Sequence, residues 1–121
     1  MTLFLSEETS LTSSTQSHLS EYHEYTSIIE EAYQAQLNRK VDDEGLRNYF
    51  SAMTLGLTEA KLYEILARST EAQNQLMSLL AKFNRTSELE YFTDLLAMRQ
   101  LSSLSQLAKN LRLDDILVKL I

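Results

Sequence analysis

Asp42-Asp43-Glu44-Gly45 is the acidic run in this chain that also carries a glycine, and carboxylates around a glycine are the raw material of a calcium loop. Such a loop needs oxygen ligands at alternating positions before its glycine and a Glu six residues after it. Here Lys40 takes one ligand position, and Ser51 stands where that Glu should be. Helix capping by Asp42 accounts for the same residues. His18 and His23 are five apart, about 140° around a helix, and so diverge. With no Cys and no His-Glu-x-x-His, a zinc site has no ligand set. Serines are plentiful, but no Gly-x-Ser-x-Gly turn presents one, and neither His has a partner to orient it as a base. Gly45 and Gly56 stand too far apart to cradle a phosphate. No catalytic, cofactor-binding or metal-binding residue is assigned, and an enzyme is not expected.

The composition narrows the class. The 121 residues suit one domain, and they include no Pro, no Trp and only two Gly. Abundant Leu, Ala, Glu, Gln and Ser without Pro favour long helical runs. Net charge is −6, and the densest basic pair, Arg39-Lys40, sits beside Asp42, Asp43 and Glu44, so direct binding to nucleic acid is disfavoured. No apolar run approaches the roughly 18 residues that span a bilayer. The start, Met-Thr-Leu-Phe-Leu, turns acidic at Glu7 and Glu8 and lacks the basic flank of a signal peptide. The expected setting is the cytoplasm at synthesis, without a membrane partner, with a larger assembly or a virion as a further setting.

The elements follow from periodicity. Residues 1–20 form a Ser/Thr-rich N-terminal arm: ten of the twenty are Ser or Thr, too polar to offset the entropy of ordering. Residues 21–121 are expected to form a single helical domain. Tyr22, Tyr25, Ile29, Tyr33 and Leu37 mark a first helix. Asp42 is expected to cap a second, with Leu46, Tyr49, Phe50 and Met53 inward and Gly56 as its stop. Thr58 should cap a third (Leu62, Ile65, Leu66) and Ser69 a fourth (Leu76, Leu79, Leu80, Phe83). A fifth holds Leu89, Phe92, Leu95 and Leu96. Ser102 or Ser103 should cap a sixth (Leu104, Leu107, Leu111), and Asp114 a short last one (Ile116, Leu117, Leu120). This predicts an all-α bundle of about six to seven short helices.

A faint repeat runs through it. Leu37-Asn38-Arg39 is echoed by Phe83-Asn84-Arg85, Tyr49-Phe50-Ser51 by Tyr91-Phe92-Thr93, and Leu57-Thr58 by Leu101-Ser102, at offsets of 46, 42 and 44. A degenerate second copy, 84–121, of a helical unit spanning 21–83 would explain the echoes; the alternative is that Leu-rich helices echo one another by composition. Between Ile28 and Gln73 the order of Tyr33, Leu37, Arg39, Asp42 to Leu46, Tyr49-Phe50, Gly56-Leu57, Ser69 and Glu71 resembles the bacterial domain-of-unknown-function family 4214. The layout is also similar to that of phycobilisome linker domains. That family usually places Pro beside its acidic turns and Trp in its aromatic pair, and this chain has neither residue. The resemblance implies a helical fold without assigned catalysis, found in surface, calcium-binding repeat and sugar-handling proteins, and so a role in assembly.

The physical reading stands beside it. Arg39 can bridge to Asp42, Asp43 or Glu44, Gly45 can admit the preceding helix closely, and Glu71 can face the N-terminus of its own helix. Of the six Tyr, the core is expected to hold Tyr33, Tyr49 and Tyr91. Tyr22, Tyr25 and Tyr63, with Glu21 and Glu24, are the candidate partner-binding residues. The leading expectation is a non-catalytic interaction or assembly module that binds another protein, a second copy included, through helix faces and the arm. One alternative is a small acidic inhibitor of phage or bacterial origin, blocking a basic nucleic-acid-binding partner; another is a glycan-associated accessory domain.

Overall fold

Helix ends in this protein are set by residue type at almost every corner. A computed structural model describes residues 22–120. The expected arm, with Glu21 and His18, lies outside the described residues. The described residues form six α-helices and no strand: α1 (22–37), α2 (Asp43–Thr54), α3 (Glu59–Ala67), α4 (Thr70–Ala81), α5 (Leu89–Ala97) and α6 (Leu104–Leu120). A 3-10 turn, Thr86–Glu88, leads into α5.

Four helices end on a residue in the left-handed region: Asn38 after α1, Gly56 after α2, Asn84 after α4 and Arg99 after α5. Behind α2, Gly56 N–H donates to the Met53 carbonyl and Leu57 N–H to that of Ala52. Behind α5, Arg99 N–H donates to Leu96 and Gln100 N–H to Leu95, the same pair of bonds displaced by 43 residues. These are Schellman closures, which satisfy carbonyls left over at a helix end. The asparagine corners lie 46 residues apart in sequence, so the echo at Asn38-Arg39 and Asn84-Arg85 is also an echo of backbone shape.

Starts are marked by hydroxyls. Thr58 Oγ1 accepts from Lys61 N–H at 3.2 Å and Ser69 Oγ from Ala72 N–H at 3.2 Å. Of the two serines before α6, Ser103 is the cap, its Oγ accepting from Gln106 N–H at 3.1 Å. The Gln106 side chain reaches back to Ser102 N–H at 2.7 Å, in the manner of a capping box. Asp42 holds the N-cap position of α2, but its side chain makes no capping bond. The expected break at Asp114 is absent: α6 runs unbroken for 17 residues, because Asp is tolerated on an exposed helix face.

The apolar side chains gather in two clusters. One joins Ile29, Ala32, Tyr33 and Leu37 of α1 to Met53, Leu62, Tyr63, Leu66 and Ala72. The other joins Ala67, Leu76 and Leu80 to Phe92, Leu96, Ala97, Leu104, Leu107 and Leu111. Helices α3 and α5 lie against each other and join the two clusters, with Leu62-Tyr63 and Leu66-Ala67 buried on one and Phe92-Thr93 and Leu96-Ala97 on the other. Glu59 pairs with Arg99 at 2.9 Å and Arg68 with Asp94 at 2.9 Å, ties that suit an antiparallel pair. Three expectations are corrected here. Ile65 is exposed, its inward place taken by Tyr63, and Tyr91 is 59% exposed while its neighbour Phe92 enters the core. Ile116, Leu117 and Leu120 are exposed too.

Three glutamine amides fasten the layers. Gln36 Nε2 donates to the Leu96 carbonyl at 2.8 Å, Gln75 Nε2 to Leu37 at 2.7 Å, and Gln73 Nε2 to Ala67 at 3.0 Å. Each accepting carbonyl lies in the last turn of its helix, where intrahelical donors run out. Gln36 is 2% exposed, and its Oε1 has no hydrogen-bond partner among the described atoms.

Two substitutions separate these effects. Gly56→Ala, with φ at +114° but no atom within 4 Å of the new Cβ, should cost about 1–2 kcal/mol from the left-handed backbone alone. Gln36→Leu should fall within about 1 kcal/mol of wild type, because it removes an unpaired buried oxygen together with one hydrogen bond, whereas Gln36→Ala should lose about 2 kcal/mol to a cavity. Urea unfolding midpoints at constant slope report both.

Candidate functional site

The residues singled out around Arg39 converge, though not in the arrangement expected. Asn38 turns the chain left-handed out of α1, which places Arg39 over the Tyr33 ring at 5.1 Å. Its guanidinium forks onto Glu71 of α4, 32 residues away, with Nε–Oε2 at 2.7 Å and Nη2–Oε1 at 3.0 Å. Nη1 donates to the Lys40 carbonyl at 2.9 Å and lies 3.6 Å from Asp42 Oδ1. Glu71 is thus spent on Arg39 rather than on its own helix N-terminus, and Asp42 faces Arg39 rather than capping α2. Gly45 admits α1 as expected: a Cβ there would stand 2.5 Å from Tyr33 Oη and 2.8 Å from Asp42 Oδ1. Tyr49 meets Tyr33 edge to face at 6.1 Å.

Arg85 repeats this geometry. It forks onto Glu88 at 2.6 and 2.8 Å, lies over the Phe92 ring at 5.1 Å and stands 3.6 Å from Asp114. An arrangement built twice, with its cation and both carboxylates mutually engaged, is suited to fixing corners. The open groove beside the first corner, about 440 Å³, is lined by Tyr33, Asp42, Glu44, Gly45, Asn48, Tyr49 and Ala52. Among the described residues no three His, Asp or Glu side chains gather as a metal site requires.

The electrostatics agree with this structural use. The hydrogen bond from Arg39 holds the Glu71 carboxyl below the usual range and the guanidinium above its own. Burial pushes the Tyr33 phenol up, with Tyr49 and Asp42 adding to it, and burial likewise raises Tyr63.

The candidate partner residues scatter. Tyr22 is 49% exposed, and Tyr22 and Tyr25 both lean on the Phe50 ring of α2, at 5.3 and 5.6 Å. Glu24 is exposed on α1. Tyr63 is buried at 8% exposure beneath the Arg99 guanidinium, 4.7 Å from its ring, and offers no free surface.

A surface that the sequence reading placed inside stands out instead. Every residue of α6 from Arg112 to Leu120 is exposed. Leu113, Ile116, Leu117 and Leu120 form an i, i+3, i+4, i+7 stripe with 48–78% of each side exposed to solvent. At 100° per residue this stripe lies roughly 160° from the face of Leu104, Leu107 and Leu111 that enters the core. The signal was present in the sequence as a change of phase: 104, 107, 111 does not continue into 113, 116, 117, 120. No described helix is long and apolar enough to cross a membrane.

The Arg39–Glu71 pair sets a pH dependence. With the folded carboxyl depressed, its contribution is present above the ordinary carboxylate value, about 4.3, and is lost as pH falls through the lower folded value. Both side chains are about two-fifths exposed (39% and 41%), so the contribution should stay below about 1 kcal/mol. Glu71→Gln should be less stable at pH 7 but lose less stability than wild type between pH 7 and 3, as read by thermal melts across that range. Compared with protein-family models, curated proteins and solved structures, the chain matches none.

Proposed function

We propose that this protein is a non-catalytic interaction module that joins another protein through the outer face of α6. The observation that carries this reading is the Leu113-Ile116-Leu117-Leu120 stripe, apolar, helical and, among the described residues, turned away from the core that α6 enters. A contiguous apolar patch of this kind on a soluble surface marks a contact site, and its anchor spacing is that of a helix laid against a groove or a second helix. The second arginine corner serves this role, since Arg85 stands 3.6 Å from Asp114 of α6. The resemblance of Ile28–Gln73 to family 4214 domains, and of the layout to phycobilisome linkers, supports the same direction: assembly rather than turnover.

Leu117→Glu tests it. Leu117 is 56% exposed, so the substitution should leave helix content intact and stability within about 0.5 kcal/mol. Affinity capture from the source extract, with light scattering on what is eluted, should return a defined complex for wild type and free protein for the variant. Capture of nothing by wild type, or of the same complex by both, would count against the α6 face.

A further inference from the structure

Charges beside the outer stripe of α6 are unevenly placed. At 3.6 residues per turn, Arg112 and Lys119 fall along one edge of the stripe, and Lys109 lies in line with it, one turn before Leu113. The other edge carries Asn110 and Asp114, and Asp114 lies 3.6 Å from Arg85 Nη1. Asp115 sits behind the basic edge, 3.1 Å from Lys119. A chain of net charge −6 therefore borders its outward apolar stripe with cations.

We infer that the face is built for an acidic amphipathic helix of another protein. Its apolar residues would seat on Leu113, Ile116, Leu117 and Leu120, with carboxylates along Lys109 and Arg112. This rests on the interaction role proposed above and names the partner's chemistry. A second copy fits worse: a two-fold axis across antiparallel α6 helices sets like edge against like edge, so Arg112 of one copy approaches Lys119 of the other. Like charges so placed oppose pairing and select against it. The overall negative charge does not forbid an acidic partner, because beyond about 8 Å it is screened at physiological salt, while contacts at the edge are closer than that.

Two labelled synthetic helices test the inference on the full chain by fluorescence anisotropy. Both carry Leu at i, i+3, i+4 and i+7; one has Glu along its edges and the other Lys. The Glu-edged helix should bind about 5- to 10-fold tighter at about 0.15 M salt, and that preference should shrink in about 0.5 M salt. Lys109→Glu with Arg112→Glu, both exposed positions, should reverse the preference, and Leu117→Glu should abolish binding of either helix. Equal affinities that Leu117→Glu still abolishes would overturn the acidic-partner inference and leave the α6 interaction role standing. Binding of neither helix, or binding indifferent to Leu117→Glu, would overturn both. Wild-type dimers lost in Leu117→Glu would make a second copy the occupant and overturn the inference as well.

Discussion

A helix that ends inside a protein leaves carbonyls with no intrahelical donor, and the rest of this structure depends on where those donors come from. At α1 and α3 a glutamine amide from another element supplies one, Gln75 to Leu37 and Gln73 to Ala67, and at α5 Gln36 adds a second donor to Leu96 beside Arg99 N–H. Helices α3 and α5 have only nine residues each, and helices that short do not persist alone in water. Their survival rests on mutual burial, and burial is tolerable only when the exposed helix ends are satisfied. The glutamines make packing and end-satisfaction a single event, linking α1 with α4 and with α5.

The arginine corners act on the same scheme from the surface. Each left-handed asparagine ends a helix and delivers the next residue, an arginine, to an aromatic ring and a carboxylate. Arg39 reaches Glu71 across 32 residues, whereas Arg85 closes locally onto Glu88 and uses Asp114 more loosely. One device thus serves two purposes: the first corner ties α1 and α2 to α4, and the second braces α6. Because these pairs are partly exposed, their value lies in fixing geometry more than in adding stability. For the proposed contact role, the brace fixes how α6 presents its outer leucines.

The acidic balance of the chain and the basic edge of α6 belong together in this view. A surface with carboxylates spread over α1 and α2 discourages indiscriminate apolar contact. In the proposed contact, Arg112 and Lys119 beside the stripe favour one orientation of an incoming helix.

Much of the architecture was legible from spacing and caps. Thr58, Ser69 and Ser103 start helices and Gly56 ends one because a hydroxyl acceptor or a missing Cβ is a local property of the residue, and local properties survive into any fold. Gly45 was legible for the same reason. What the residues alone did not decide were the partners across the chain. Arg39 stands 3.6 Å from Asp42, one of three carboxylates nearby in sequence, yet forks onto a distant fourth, Glu71; Tyr91, expected in the core, is exposed, and Tyr63, which the sequence left open, is buried; Asp114 looked like a cap and became a mid-helix residue. Sequence determined the helices and most of their ends, since those follow from backbone sterics and hydrogen-bond donors within a few residues. Tertiary structure alone decided which face of each helix was left uncovered, because burial depends on which neighbour arrives, and past Leu111 none of the described residues buries a side chain of α6.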